Sequence, residues 1–286
     1  MMNVADILKQ EGLAISCEIF PPKGELKTEE ALAVVGGISK LDPSFVSVTC
    51  SAGGSGNGSD TSAIAALIQN DFAIPSVAHV TCVSATPASL DETVADLKAR
   101  SISNVLALRG DIPEGAAPEH FRYAKDLIPR LKEEGFCVGA AAYPEGHIDC
   151  TSSKANIEHL KMKQDAGADF FVTQLAFQND CIVRFIDDAR SAGVSAPITC
   201  GIMPFLSKPQ IERMVFLCGA SLPSPIIKLL ARYENDPAAL RQAGVEYACD
   251  QLVDLARHGV DGVHVYCMNR VDIAEAAFDA LRAAGF

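Results

Sequence analysis

Tryptophan is absent from the 286 residues, and aromatic side chains of every kind make up 6% of them. Large rings therefore fill little of the interior, and aliphatic side chains must do most of that work. No two of the ten cysteines stand within four residues of each other, so CxxC and the ligand spacings of zinc and iron–sulfur sites are missing. Positive charge is scarce: 24 Lys and Arg against 36 Asp and Glu leave a formal charge of −12. That argues against nucleic acid or an anionic membrane as the main partner. No segment approaches the ~20 consecutive apolar residues of a membrane span. The opening Met-Met-Asn-Val-Ala-Asp-Ile-Leu-Lys-Gln-Glu carries charges where a signal peptide needs an apolar run. Cysteines without disulfide spacing, set largely in strand-like stretches (Cys17, Cys50, Cys82, Cys137, Cys200, Cys267), fit a reducing, cytoplasmic compartment. The dinucleotide fingerprint GxGxxG is lacking too. Gly54-Ser55-Gly56-Asn57-Gly58 has the wrong spacing and reads as a flexible loop.

What is present is a regular alternation of strand and helix patterns. The first strand is Ile15-Ser16-Cys17-Glu18-Ile19-Phe20, stopped by Pro21-Pro22. Further strands are read at 44–50, 76–82, 102–108, 136–143, 168–175, 198–203 and 260–267. Helices are read at 28–41, 60–70, 87–100, 120–134, 154–166, 179–192, 207–218, 236–258 and 271–284. Thr28 reads as an N-cap with Glu29 and Glu30 in the first turn, Pro87 occupies the favoured first helical position, and Gly167 stops a helix. Two stretches echo each other, Ala166-Gly167-Ala168-Asp169-Phe170-Phe171 and His258-Gly259-Val260-Asp261-Gly262-Val263, each a helix end, a glycine, an aspartate and a strand. Eight strands with helical connections and no linker predict an α/β chain, a single (β/α)8 TIM barrel over 1–286 with an extra C-terminal helix. An open doubly wound sheet is the second choice.

Side chains alternate along a strand. On one parity fall Glu18, Ser47 with Thr49, His79 with Thr81, Arg109 with Asp111, Gln174, and His264 with Tyr266. On the other fall Val46, Val48, Leu106, Leu108, Val263 and Val265. The polar set sits towards strand C-termini, where a barrel carries its chemistry. Any single serine or threonine there could be an ordinary hydrogen-bonded interior residue. Two carboxylates with an arginine, a glutamine and histidines together predict a functional cleft. A Schiff-base lysine is absent from the strand ends, and His79 and His264 lie on distant strands with no HxH or HExxH, so no metal site is expected. Acid–base or cofactor chemistry remains. Shielding in the barrel mouth is expected to raise the Glu18 carboxyl and suit it to act as a general acid, while Asp111, beside Arg109, is expected to stay ionised.

The ordered set Cys17-Glu18-Ile19-Phe20-Pro21-Pro22, Phe45-Val46-Ser47-Val48-Thr49, His79-Val80-Thr81-Cys82, Leu108-Arg109-Gly110-Asp111, Ala142-Tyr143-Pro144-Glu145-Gly146-His147, Leu160 to Asp169, Thr173-Gln174, Gly201-Ile202-Met203-Pro204 and Tyr266-Cys267-Met268-Asn269-Arg270 resembles the bacterial 5,10-methylenetetrahydrofolate reductases, a family of flavin-containing TIM barrels. The resemblance runs along essentially the whole chain. It implies hydride transfer from NADH or NADPH to flavin N5 and then, in ping-pong fashion, to methylenetetrahydrofolate. In that scheme Glu18 is the general acid that protonates N10, and Asp111 holds the pterin and tunes the flavin. The resemblance further assigns Gln174, Gln210, Met214 and Arg270 to the folate. It assigns Thr49, Cys50, His79, Leu108, Arg109, Gly110, Asp111, Tyr123, Ala124, Tyr143, His147, Asn156, His159, Met162 and Lys163 to the cofactor, FAD rather than FMN.

Asn156, His159 and Met162 depart from the family pattern, standing where some relatives have an aspartate, an asparagine and an arginine that touch the cofactor. Met214 stands where some relatives have a phenylalanine. A homo-oligomer is expected. Two alternatives stay open at this point. One is a same-fold subunit that receives electrons from a partner protein in a larger complex. The other is a folate- or flavin-binding barrel without turnover.

Overall fold

A computed structural model describes residues 2–21, 27–50, 58–112, 119–150 and 152–286. Pro22 and the glycine-rich stretch before Gly58 lie outside the described residues, as does the Thr28 side chain. In chain order the elements are α1 (Val4–Ile7), β1 (Ala14–Ile19), α2 (Lys27–Ser39), β2 (Phe45–Val48), α3 (Gly58–Asp71), β3 (Ser76–Thr81), α4 (Pro87–Ala99), β4 (Asn104–Leu108), α5 (Ala124–Glu133), β5 (Cys137–Ala142), α6 (Ser153–Asp165), β6 (Phe170–Thr173), α7 (Asn179–Ser191), β7 (Ile198–Ile202), α8 (Lys208–Cys218), α9 (Ser224–Arg232), α10 (Pro237–Arg257), β8 (Gly262–Tyr266) and α11 (Val271–Ala283). The strands are all parallel and close in the order β1 to β8, with β8 pairing back onto β1. This is the (β/α)8 barrel that the strand count predicts. Two short helices, α1 and α9, escape the sequence reading. Four residues, or nine opened by Ser-Pro, give too few turns for a periodic signal.

The outer strand faces carry Cys17, Val46, Val48, Val105, Ala107, Val263 and Val265, which pack under the helices as one large apolar cluster. The barrel floor is a second cluster, in which Val4, Ala5 and Leu8 meet Phe45, Val77, Leu106, Phe170 and Val172. Helix α1 thus plugs the bottom, and the Val4 N–H donates to Asn104 Oδ1 at 2.9 Å. Leu106 belongs to this floor and Leu108 to the mouth above it, so the sequence parity of β4 is inverted. Arg109 and Asp111 follow the strand's last residue, where a continuous pleat no longer dictates direction.

Local chemistry sets the helix starts. Thr86 caps α4 by accepting from Ser89 N, with Pro87 at the first position. Gly167, at φ 112°, ends α6 as expected. The echoed aspartates have one shared use. Asp169, just before β6, accepts from Val138 N at the start of β5 at 2.7 Å and from Lys132 Nζ at 2.7 Å. Asp261, just before β8, accepts from Ile198 N at the start of β7 at 2.8 Å and from Arg190 at 2.7 Å. Ser44 does the same before β2, accepting from Ile15 N at 3.1 Å. Each such side chain satisfies an N–H that the sheet ladder leaves open at the foot of the preceding strand.

Candidate active site

The strand ends surround a cavity of about 720 Å³ at the C-terminal mouth, within the size range of small-molecule sites. Glu18 lies at its base. Its side chain is 18% exposed, and its Oε2 lies 3.4 Å from Ser47 Oγ, 3.4 Å from His79 Nε2 and 3.6 Å from His264 Nε2. Strand pairing makes this cluster: Glu18 is level with Ser47 on β2 and with Tyr266 on β8, and Ser16 is level with His264. His264 is wholly buried, stacked on Phe45 and edge-on to Tyr266. Gly201 leaves room for Tyr266, whose hydroxyl donates to the Thr173 carbonyl at 2.6 Å.

The electrostatics reverse one expectation. Burial pushes the Glu18 carboxyl up, as the sequence reading holds. The polar proximity and charge of His264, the charge of His79 and the Ser47 hydroxyl together outweigh it, and the carboxyl falls below its ordinary value. Burial lowers His79 despite the neighbouring Glu18. Among the described residues the buried ring nitrogen His79 Nε2 has no hydrogen-bond partner. A second correction concerns Arg109. Its ion-pair partner is Asp149, at 3.0 Å, and it also approaches His147 Nε2 at 3.5 Å. Asp111 stands exposed at the rim instead of pairing with its sequence neighbour.

A second cavity of about 480 Å³ adjoins the first, and Leu108, Arg109, Ala141, Tyr143 and His147 form walls of both. It is lined further by Tyr123, Ala124, Asn156, His159, Met162 and Lys163. Lys163 is its notable group. Its Nζ donates to the Ala141 carbonyl at 2.6 Å and lies 5.2 Å from the Tyr143 ring centroid. Among the described residues no carboxylate pairs with it, and burial pulls its amine down to about 8. A buried amine with only a carbonyl and a ring beside it suits an anionic ligand group.

The two cavities therefore gather Thr49, Cys50, His79, Leu108, Arg109, Gly110, Asp111, Tyr123, Ala124, Tyr143, His147, Asn156, His159, Met162 and Lys163, together with Glu18 and Gln174. Three residues assigned to the folate stand outside both walls. Gln210 caps the entry to α8, accepting from Leu206 N at 2.5 Å. Met214 packs in the apolar cluster around Phe177 and Phe205. Arg270 is an exposed N-cap of α11. The first cavity is lined instead by Arg213, Leu217 and Cys218 of α8 and by Ile148, residues the sequence reading does not single out. The period of α8 would have placed Arg213 and Leu217, four apart, on one face. Asn156 holds the chain itself, donating to the Tyr143 carbonyl at 2.7 Å.

A closed parallel barrel with an acid among imidazoles at its mouth, beside a cavity holding a buried cation, defines the class: a (β/α)8 protein built to act on a ligand at its strand C-termini. Comparison with known proteins narrows this. The family model "Methylenetetrahydrofolate reductase" matches residues 3–282. The 5,10-methylenetetrahydrofolate reductase of Pectobacterium carotovorum is 34% identical, covering 93% of this chain and 89% of that protein. The protein of the same name from Escherichia coli is 32% identical, covering 93% and 90%. "Methylenetetrahydrofolate reductase (NADH) 1" of Arabidopsis thaliana is 30% identical over 93% of this chain but only 48% of its own length. Among solved structures, an uncharacterised Clostridium thermocellum protein described as binding two copies of 5-methyl-5,6,7,8-tetrahydrofolic acid superimposes with a TM-score of 0.70. It is 17% identical and covers 99% of this chain and 98% of its own, a likeness of fold. The chain belongs to the methylenetetrahydrofolate reductase family.

Proposed function

We propose that this chain reduces 5,10-methylenetetrahydrofolate to 5-methyltetrahydrofolate, using a bound flavin, FAD in preference to FMN, and NADH or NADPH. The observation that carries the reading is Glu18 at the base of the larger cavity, facing two imidazoles and a hydroxyl. The chemistry of the second cavity suits the cofactor. Lys163, Arg109 and His147 offer cationic and hydrogen-bonding groups, and Tyr143 and Ala141 offer apolar wall, in a chain of net charge −12. When bound there, a flavin supplies two-electron hydride chemistry that no side chain provides.

The chain's own residues do the rest. Glu18 delivers the proton that opens the folate's five-membered ring at N10. Asp111 and Gln174 line the same cavity and accept or donate hydrogen bonds that orient a pterin. Leu106, Leu108 and Val172 exclude water below the reacting atoms. No helix among the described residues is long and apolar enough to cross a membrane.

The test is a pair of half-reactions on Glu18→Gln. NADH should bleach the variant's flavin at the wild-type rate, since that step needs no acid. Reoxidation by methylenetetrahydrofolate should slow by about 10²-fold or more. Normal reoxidation removes Glu18 as the acid. A purified protein that binds neither FAD nor FMN overturns the flavin reading. A flavin that neither NADH nor NADPH bleaches favours the partner-fed alternative.

A further inference from the structure

We infer that Glu18 and His264 share one proton, kept on His264 Nε2 while the mouth is open to water and passed to Glu18 Oε2 when a ligand fills it. The inference deepens the proposed reading and rests on it for the identity of the ligand.

Ser16 supplies the argument. Its Oγ lies 3.1 Å from the Val263 carbonyl and 2.7 Å from His264 Nδ1. A carbonyl only accepts, and we assign the single hydroxyl proton to Val263, so that the hydroxyl lone pair faces the ring. Nδ1 must then be the donor, and it keeps its proton in either charge state. The exchangeable site is Nε2, which lies 3.2 Å from Ser47 Oγ and 3.6 Å from Glu18 Oε2.

A neutral ring beside an ionised Glu18 would set a lone pair against a carboxylate oxygen, with one Ser47 proton to serve both. One proton between Nε2 and Oε2 removes the conflict. The surroundings leave the pair to itself. From β3, His79 Nε2 is 3.4 Å from the same Oε2, held low in proton affinity by burial. From β8, Tyr266 turns its hydroxyl away to Thr173, and from β2, Phe45 covers the ring face. Among the described residues Glu18 is the one carboxylate within 4.0 Å of His264, and no lysine or arginine pairs with Glu18.

Water in the mouth favours the separated charges, imidazolium and carboxylate. A ligand that displaces this water leaves the charged pair in a poorer dielectric and favours the neutral one. The N–H bond at Nε2 then breaks as the O–H bond at Oε2 forms, Ser47 Oγ, 3.2 Å from Nε2 and 3.4 Å from Oε2, taking up one proton as it gives the other. Glu18 becomes a carboxylic acid beside the substrate, and Nδ1–H stays with Ser16. Once Glu18 has given its proton to the folate nitrogen, solvent reloads the pair through Glu18 when the mouth reopens. His264 is thus a positioning residue acting through Glu18, and Ser16 fixes its direction.

The test is nitrogen NMR of the intact protein with ¹⁵N-labelled histidine, at pH 7, free and with 5-methyltetrahydrofolate. In the free protein His264 should carry protons on both nitrogens. With the folate it should keep Nδ1–H and lose Nε2–H. Glu18→Gln should give the ring bare at Nε2 already in the free state. Ser16→Ala should release the ring to the Nε2–H form and, in stopped flow, slow folate-driven reoxidation about tenfold while leaving NADH bleaching unchanged. A neutral Nε2–H ring in the wild type, or the same ring state in wild type and Glu18→Gln, overturns the inference. A doubly protonated ring with no response of any histidine to the folate supports the resting pair and overturns the folate reading.

Discussion

Lys163 makes the second cavity a place where folding stability and ligand binding oppose each other. Its amine falls from an ordinary 10.5 to about 8 because burial strips its water. At this amine the folded chain therefore holds fewer protons than the unfolded one between about pH 8 and 10.5. The contribution of Lys163 to stability must climb with pH across that window, and its penalty is fully present below it. At 1.36 kcal/mol per pH unit, a depression of this size corresponds to about 3 kcal/mol, which residual contact with cavity water trims to about 2–3.

Lys163→Met removes this cost. It also loses the bond to the Ala141 carbonyl and the contact with Tyr143, together about 1–2 kcal/mol. The ligand-free variant should be about 1 kcal/mol more stable than wild type at pH 7 and should bind flavin more weakly. The assay is urea unfolding of the flavin-free protein at pH 7 and pH 10, wild type against variant. Every other titrating group cancels in the double difference. The wild type should gain about 2–3 kcal/mol more than the variant between the two pH values. Equal gains would refute the claim that this amine is buried without a counter-charge.

Asp261→Ala should cost about 2–4 kcal/mol in denaturant unfolding, because it orphans the Ile198 N–H and strips Arg190 of its partner; a loss below about 0.5 kcal/mol would mean that water satisfies that strand foot equally well. Gly139→Ala places a methyl 2.3 Å from the Phe170 ring and should cost about 1–3 kcal/mol in thermal unfolding, with Phe170→Leu restoring part of it; no recovery in the double variant would locate the clash elsewhere. Arg213→Ala should raise the KM for methylenetetrahydrofolate about tenfold with little change in kcat, since this guanidinium lines the larger cavity and no ion-pair partner is assigned to it among the described residues; an unchanged KM would remove it from the substrate's carboxylates.

Much of the barrel is readable from alternation, because a parallel sheet under helices must present aliphatics outward and leaves only its inner parity for polar groups. Glu18, Ser47, His79 and His264 converge for that reason alone. Past a strand's end the rule misleads: Arg109 and Asp111 lie beyond β4 and give the wrong phase for it, so Leu106 and Leu108 take the interior, and Arg109 turns to Asp149, forty residues on, a partner that no spacing rule names. The Glu18 carboxyl illustrates a different limit. A sequence shows that an acid will be buried, yet the sign of its shift depends on which neighbours donate to it, and Ser16 and His264 lie 248 positions apart. Gln210 and Met214 were placed by resemblance and Arg213 was passed over, because helix phase at a loop-to-helix junction decides which side chains reach a cavity.

The β1–β8 seam gives the chain an order of events. Ser16 and Glu18 lie on the first strand of the barrel and His264 on the eighth, so the acid meets its imidazole only when the eighth strand docks on the first. A contact of such sequence separation is among the slowest to form. The proton pair is thus born at the closing of the ring, and a half-assembled barrel, however well its other strands are paired, holds an acid without its proton store.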